Sequence, residues 1–174
     1  MILTSEDELR IKCEPVLPGE VSSLREALEK ELRASEARGM PGIGLAAPQI
    51  GIAKRMAIVR LNNSSIDLVN CDIIRKFDEF IFENEGCLSF PNRFERTKRF
   101  REIHITNNLA EPHSFIATGL LAVVCQHEWD HVNGILLSDV ALPKQEIKVS
   151  KKLRPNDKCF CGKNIKYKKC HGKK

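Results

Sequence analysis

At 174 residues, 42% of them apolar, the chain can bury one ordinary core, which excludes a multi-domain machine and leaves room for a main domain with a small appendage. No stretch approaches the roughly 20 consecutive apolar residues that span a bilayer, and the first 14 residues are charged with no apolar signal core, so a cytoplasmic protein without a membrane role is expected. The net charge of +5 is unevenly divided: residues 1–143 carry 16 positive and 21 negative groups, a balance of −5, whereas residues 144–174 carry 12 and 2, a balance of +10. So basic a tail favours polyanion partners, nucleic acid first, against the plainer reading of a solubilising end. The seven cysteines cannot all pair. Cys13, Cys71, Cys87 and Cys125 are scattered while Cys159, Cys161 and Cys170 cluster, and in a chain without a secretory signal a cluster reads as metal ligands before disulfides.

In chain order, Ser23 to Glu26 carries a capping-box pattern, and Leu24, Ala27, Leu28, Glu31, Leu32 and Ser35 follow at helical spacing until Gly39, predicting a surface helix with one buried face. Met40 to Gly44 holds too many breakers for regular structure and reads as a loop leading into residues 45–49. Strands are expected over 55–61 and 80–82, and a hairpin over 102–106 and 114–118. From Gly119 the period changes: Leu120, Leu121, Val123, Val124, His127 and His131 describe a buried helix with Thr118 as its N-cap and Gly134 beyond its end. After Pro143 the composition turns Lys-rich. The expected organisation is residues 1–143 as one domain, 144–154 as a basic linker and 155–174 as a separate segment.

His127-Glu128-Trp129-Asp130-His131 is an H-E-x-x-H string on that helix. A four-residue step puts both imidazoles on one face, where they can grip one metal ion, with Glu128 near enough to act as general base. Alone, the string also fits two satisfied core histidines. Two further segments, Glu85-Gly86-Cys87-Leu88-Ser89 and Gly42-Ile43-Gly44-Leu45-Ala46-Ala47-Pro48-Gln49-Ile50-Gly51, join it in an order and at separations that resemble the peptide deformylase family over residues 2–143. The resemblance implies that Cys87 is the third metal ligand beside His127 and His131, and that the metal is Fe(II), with Zn, Ni or Co tolerated. Two neutral imidazoles and a thiolate leave a divalent ion one net positive charge and an open position for water, as a catalytic site needs. Geometry alone would also permit zinc.

The implied activity is hydrolysis of the N-formyl group of formyl-methionyl nascent polypeptides, giving formate and a free N-terminus. Glu128 is then the general base. The Gln49 side-chain amide and the Leu88 backbone N–H are the donors to the carbonyl oxygen as it gathers charge, each worth about 3 kcal/mol. By the same resemblance Gly42 to Gly44 lies beside the peptide, and Ile43, Leu120, Val123 and Val124 build an apolar pocket for the methionine side chain. For Leu120, Val123 and Val124, simple core packing is the alternative. Arg93 stands where the family often has a substrate-contacting Arg, with the alignment slipping by one residue. Asp130 would orient a ligand or cap a helix partner. Met40-Pro41 lengthens the loop before the glycine motif, and Glu83 occupies a position where an apolar pocket residue is common. Cys13, Cys71 and Cys125 need no function beyond packing.

The segment from Pro155 presents Cys159, Cys161, Cys170 and His171, four donors with no spare position, as in a closed structural zinc site; so short a segment has no core without the metal. Residues 156–172 resemble the small zinc motif (SEC-C) at the C-terminus of the bacterial preprotein translocase ATPase. Lys163, Lys166, Lys168, Lys169, Lys173 and Lys174, with Phe160 and Tyr167, suit the ribosome as partner, through ribosomal RNA or an acidic ribosomal protein. Two other readings stay open: a general zinc metallopeptidase sharing only H-E-x-x-H, and a catalytically silent scaffold working through its tail. The fold the resemblance implies is α+β, with antiparallel sheets around a central H-E-x-x-H helix and a small zinc-knuckle tail.

Overall fold

Apolar side chains at Leu24, Leu28 and Leu32 fall on one stripe of a helix, and that stripe is buried in α2 (Val21–Ala37), which follows the short α1 (Glu6–Leu9). The computed structural model describes residues 1–61, 64–143, 154–159 and 165–171. It divides into two compact units, Met1–Leu142 and Pro143–Lys174. α2 starts earlier than the capping-box pattern suggests. Its N-cap is Glu20, after a 3-10 turn over Pro18–Glu20, and the Ser23 hydroxyl donates to the Glu20 carbonyl instead of capping. Proline at the start of that turn supplies a preset φ, and this initiates the helix before Ser23 can.

Among the described residues, six strands form two three-stranded antiparallel sheets. The first has β1 (Gly44–Ala46), β2 (Met56–Leu61) and β3 (Ser64–Val69) in sequence order; the second has β4 (Asp72–Cys87), β5 (Phe90–Thr106) and β6 (Ser114–Thr118). The hairpin expected over 102–106 and 114–118 is present as the β5/β6 pairing, Glu102 opposite Thr118 and Thr106 opposite Ser114. The strand expected over 80–82 is far longer, running from Asp72 to Cys87 and held by its pairing with β5; most of it is exposed, so its sequence shows no apolar alternation to mark the full length. β1 begins at Gly44, inside the segment read as a loop, held by pairing of Gly44, Leu45 and Ala46 to Val59, Ile58 and Ala57. β3 has no strong local signal and is held by its register with β2.

β2 shows how the core is layered. Met56 and Ile58 pack with the leucines of α2, while Ala57 and Val59 pack on the opposite face with α3 (Gly119–Val132), as the period-two alternation of a strand requires. Ile103, Ile105 and Ala117 of the second sheet reach the same α3 cluster, so α3 lies between the two sheets. Each fully buried aliphatic side chain here contributes roughly 1.5–3 kcal/mol. Residues 122–128 of α3 are all buried, which is why so apolar a helix can carry polar side chains that never meet bulk water. Two buried amides tie the layers. The Gln126 side chain accepts from the Phe100 N–H and donates to its carbonyl, and Asn107 accepts from the Val69 N–H and donates to the Asp67 carbonyl. α3 ends at Val132 with Asn133 as its C-cap, and Gly134 follows with φ +71°, a left-handed conformation that glycine adopts without a Cβ penalty. α4 (Leu137–Val140) closes the unit, with Asp139 paired to Arg10 of the segment after α1.

Candidate metal centre and active site

Cys87 is the last residue of β4, opposite Phe90 across the two-residue turn Leu88-Ser89, so the thiol is presented at a hairpin tip. His127 and His131 project from α3 one turn apart, their rings edge to face at 4.8 Å. The sulfur of Cys87 lies 3.2 Å from His131 Nε2, and one donor atom from each of the three residues falls within 4.8 Å of the others, a group able to hold a metal ion. All three are buried.

Behind His127 stands a charge network that the sequence reading did not include. His127 Nδ1 lies 2.7 Å from Glu85 Oε1, and the same carboxylate accepts from Thr97 Oγ1 at 2.6 Å and from Arg99 Nε at 2.7 Å and Nη2 at 2.5 Å. Arg99 Nη1 continues to Asp130 Oδ2 at 2.6 Å, so Asp130 orients Arg99 and not a histidine directly. With Nδ1 donating to Glu85, the other nitrogen of His127 is the one left to a metal. Burial favours a protonated Glu85, but hydrogen bonds from Arg99 and His127 outweigh it and hold the carboxyl down at about 2. Burial likewise opposes charge on His127, yet its bonds to Cys87 and Glu85 raise its basicity. His131 has no such acid partner; its Nδ1 is buried without a hydrogen bond, and burial followed by His127 lowers it to about 4, keeping the ring neutral. Glu85 sat within a motif already picked out. Thr97 and Arg99 carried a weaker signal, since counting back in twos from Ile103 and Ile105 reaches them.

Glu128 is buried beside the ligand group, with Oε2 lacking any partner. Burial is the main cause that lifts its carboxyl to about 7, opposed by the two histidines. Gly44 of β1 stands against it: a Cβ there would meet Glu128 Cδ at 2.9 Å and Cγ at 3.1 Å and collide with Oε1. Gln49 lies in the 3-10 turn Ala47–Ile50; its Oε1 accepts from the Ala46 N–H at 2.8 Å, while Nε2 donates to Ser89 Oγ at 3.1 Å and reaches Cys87 Sγ at 3.5 Å. The amide is therefore oriented with its donor toward the metal-binding group.

These residues open on a cavity of about 590 Å³. Its wall includes Gln49, Cys87, Leu88, His127 and Glu128, together with Ile43, Gly44, Leu120, Val123, Val124 and Arg93. Arg93 reaches the cavity already engaged, donating to Glu95 at 2.8 Å, with Glu6 at 3.8 Å and the Phe90 ring beneath its guanidinium. Glu83 pairs with Arg96 at 2.8 Å. Cys71 and Cys125 are buried in the α3 core, where burial pushes the Cys71 thiol up to about 12 and the Cys125 thiol higher, as inert packing groups.

In the second unit, Cys159, Cys170 and His171 form another donor group, Cys159 Sγ 3.2 Å and Cys170 Sγ 3.3 Å from His171 Nδ1. The segment folds back through the Lys158–Lys166 bridge and the Cys159 N–H bond to the Ile165 carbonyl. Cys161, Lys163 and most of the linker lie outside the described residues.

A family model, Polypeptide deformylase, matches residues 1–146. The peptide deformylase of Heliobacterium modesticaldum is 46% identical over 100 residues, 56% of this chain and 66% of that protein. The crystal structure of peptide deformylase from Thermotoga maritima is similar with a TM-score of 0.71 at 31% identity, covering 82% of this chain and 97% of that one. The Met-Ala-Ser-bound structure of a class I type b peptide deformylase from Acinetobacter baumannii has a TM-score of 0.68 at 28% identity, covering 80% of this chain and 96% of that one.

Proposed function

The chain belongs to the polypeptide deformylase family, and from that premise we propose that it is a metal-dependent hydrolase that takes the formyl group from formyl-methionyl nascent polypeptides, giving formate and a free N-terminal methionine. The observation that carries the reading is the donor group of Cys87, His127 and His131 with the buried, half-unpartnered Glu128 carboxylate beside it at the wall of the cavity. That donor set suits a divalent cation. A thiolate and two imidazoles are borderline-soft ligands, and the Glu85 contact leaves the second nitrogen of His127 available. Fe(II) is the ion typical of the family, with Zn, Ni or Co as substitutes. When bound, the metal supplies the positive charge that polarises a formyl carbonyl and brings water's pKa down toward about 7.

The chain's own groups do the rest. Glu128, with a proton affinity near neutrality, removes the proton from the attacking water. The Gln49 amide and the Leu88 N–H donate to the oxygen that gathers negative charge as the formyl carbon becomes tetrahedral. Glu128 then delivers its proton to the departing amine. Ile43, Leu120, Val123 and Val124 take the methionine side chain, with Gly44 and Arg93 at the same wall. Met-Ala-Ser in the Acinetobacter baumannii protein is a peptide with the N-terminal residue this product would have.

Residues 155–174 form, in this reading, a structural zinc module of the SEC-C type. Cys159, Cys161, Cys170 and His171 are its ligands, and residues 144–154 link it to the catalytic domain of residues 1–143. The donor group of Cys159, Cys170 and His171 supports it. Its positive charge docks the enzyme on the ribosome, in the cytoplasm where the substrate emerges, raising catalyst concentration at the nascent chain. Among the described residues no helix is long and apolar enough to cross a membrane. The test is formate release from formyl-Met-Ala-Ser by anaerobically purified protein, with metal analysis of the same sample. Turnover with close to two metal ions per chain is expected; metal-loaded protein that releases no formate would refute the activity.

A further inference from the structure

A β-strand turns every second side chain to the same face, and one extra residue on one strand of a pair exchanges the faces beyond it. β4 carries such a residue beside the metal-binding group. Phe82 stands opposite Thr97 and Glu85 opposite Glu95, so Glu83 and Asn84 on β4 together face Arg96 on β5. In an unbroken ladder Asn84 would stand opposite Glu95, and Glu85 would point to the far face. The bulge instead brings the Glu85 carboxylate to the face on which Thr97 and Arg99 are buried.

Hydrogen bonds then surround that carboxylate. Oε1 meets His127 Nδ1 and Arg99 Nη2, while Oε2 accepts from Arg99 Nε at 2.7 Å and from Thr97 Oγ1 at 2.6 Å. The two donors to Oε2 differ in how firmly each is placed. Arg99 reaches Glu85 through a long side chain that also bonds Asp130 of α3. Thr97, 0% exposed, has one β-branched χ1 on backbone held from both sides, by Phe82 of β4 and by a bridge to Ala141, with the Leu142 N–H donating to the Arg96 carbonyl at 2.7 Å. We infer that Thr97 is a positioning residue for the metal centre: its hydroxyl fixes one oxygen of Glu85, so that the other oxygen holds His127 Nδ1 and keeps the imidazole in the group with Cys87 and His131. The inference rests on the metal-dependent reading of that group and extends it to a side chain outside the three sequence motifs.

The full-length chain tests it with Co(II) as the probe, its affinity measured by chelator competition and its visible absorption recorded. The tail donor group is the same in every protein compared, so differences report Cys87, His127 and His131. Thr97→Val keeps volume and branching without the hydroxyl, Thr97→Ser keeps the hydroxyl, and Thr97→Ala has neither. Side chains that orient a metal ligand typically change metal affinity by about 10–100-fold, so Thr97→Val and Thr97→Ala should bind Co(II) at least about tenfold more weakly, with shifted absorption bands, and Thr97→Ser should stay within about threefold of wild type. In the saturated Thr97→Val enzyme kcat should fall while KM for formyl-Met-Ala-Ser is unchanged. A packing role would sort the variants by volume, with Ser and Ala weakened and Val normal; that order, or equal affinity in all four proteins, would overturn the inference. Absence of formate from Co(II)-loaded wild type would instead refute the deformylase activity and leave the affinity comparison standing.

Discussion

A carboxylate next to a metal ligand can serve as base only if the fold keeps it free of the metal and close to the reacting water. Glu128 meets this through burial and through the missing side chain of Gly44. Glu128→Ala should therefore keep its catalytic metal and lose at least about 10²-fold in kcat, the contribution typical of acid–base groups; near-normal turnover would remove Glu128 from the mechanism. Gly44→Ala tests the clearance. A Cβ must push the carboxylate aside, so kcat should fall by on the order of 10²-fold, as for a misplacement of about 1 Å, with metal content unchanged. If only KM rises, Gly44 serves the peptide and not the base. Among the cysteines the expectation divides by environment: Cys87→Ser should lose catalytic metal or activity, whereas Cys71→Ser and Cys125→Ser should alter only stability. Metal-to-protein ratios and thermal melts separate the two outcomes.

At the scale of elements, the hairpin of β4 and β5 is joined to α3 by charge buried between them. Glu85 comes from β4, Thr97 and Arg99 from β5, and Asp130 with His127 from α3. Removing one partner of such a buried network leaves the other charge unpaired, at a typical cost of 3–5 kcal/mol. Glu85→Gln should lose about that much in urea denaturation, in addition to any loss of metal affinity from a His127 no longer held at Nδ1. The pH dependence has a definite sign. Because the folded-state pKa of Glu85 is depressed from 4.5 to about 2, its contribution is fully present above about 4.5 and is lost as pH falls toward about 2. The difference in stability between wild type and Glu85→Gln should thus be constant near neutrality and narrow across that acid window. A difference that stays flat down to the acid limit would show that Glu85 is not held ionised.

For the whole molecule, the division between an acidic body and a basic end predicts separable functions. A chain cut after Pro143 retains the complete unit Met1–Leu142 and should deformylate short peptides with nearly the same kcat/KM. Its binding to ribosomes should weaken, most at low salt, because contacts to phosphate release counterions and fade as salt rises. Cys170→Ser should reproduce the truncation, since in the proposed module metal binding supplies the folding free energy. Equal co-sedimentation of full-length and truncated protein across a salt series would dismiss the docking role.

How much of this was legible in the chain follows from which interactions are local. The i, i+4 spacing of His127 and His131, the buried helix that ends before Gly134, and the pairing of 102–106 with 114–118 are set by helical and strand periods that a sequence displays directly. The chemistry of the donors and the charge division are equally properties of the residues themselves. The structure alone decided which charged side chains turn inward. β5 carries five cations, Arg93, Arg96, Lys98, Arg99 and Arg101, and alternation leaves both Arg99 and Arg101 candidates for the core face. Only Arg99 finds Glu85 and Asp130 to offset its desolvation, while Arg101 remains exposed with Asp78. The clearance Gly44 leaves for Glu128, and the Phe94 ring lying on Gly86, likewise join residues distant in sequence. Their meaning depends on two sheets meeting across α3, a long-range arrangement that no local period encodes.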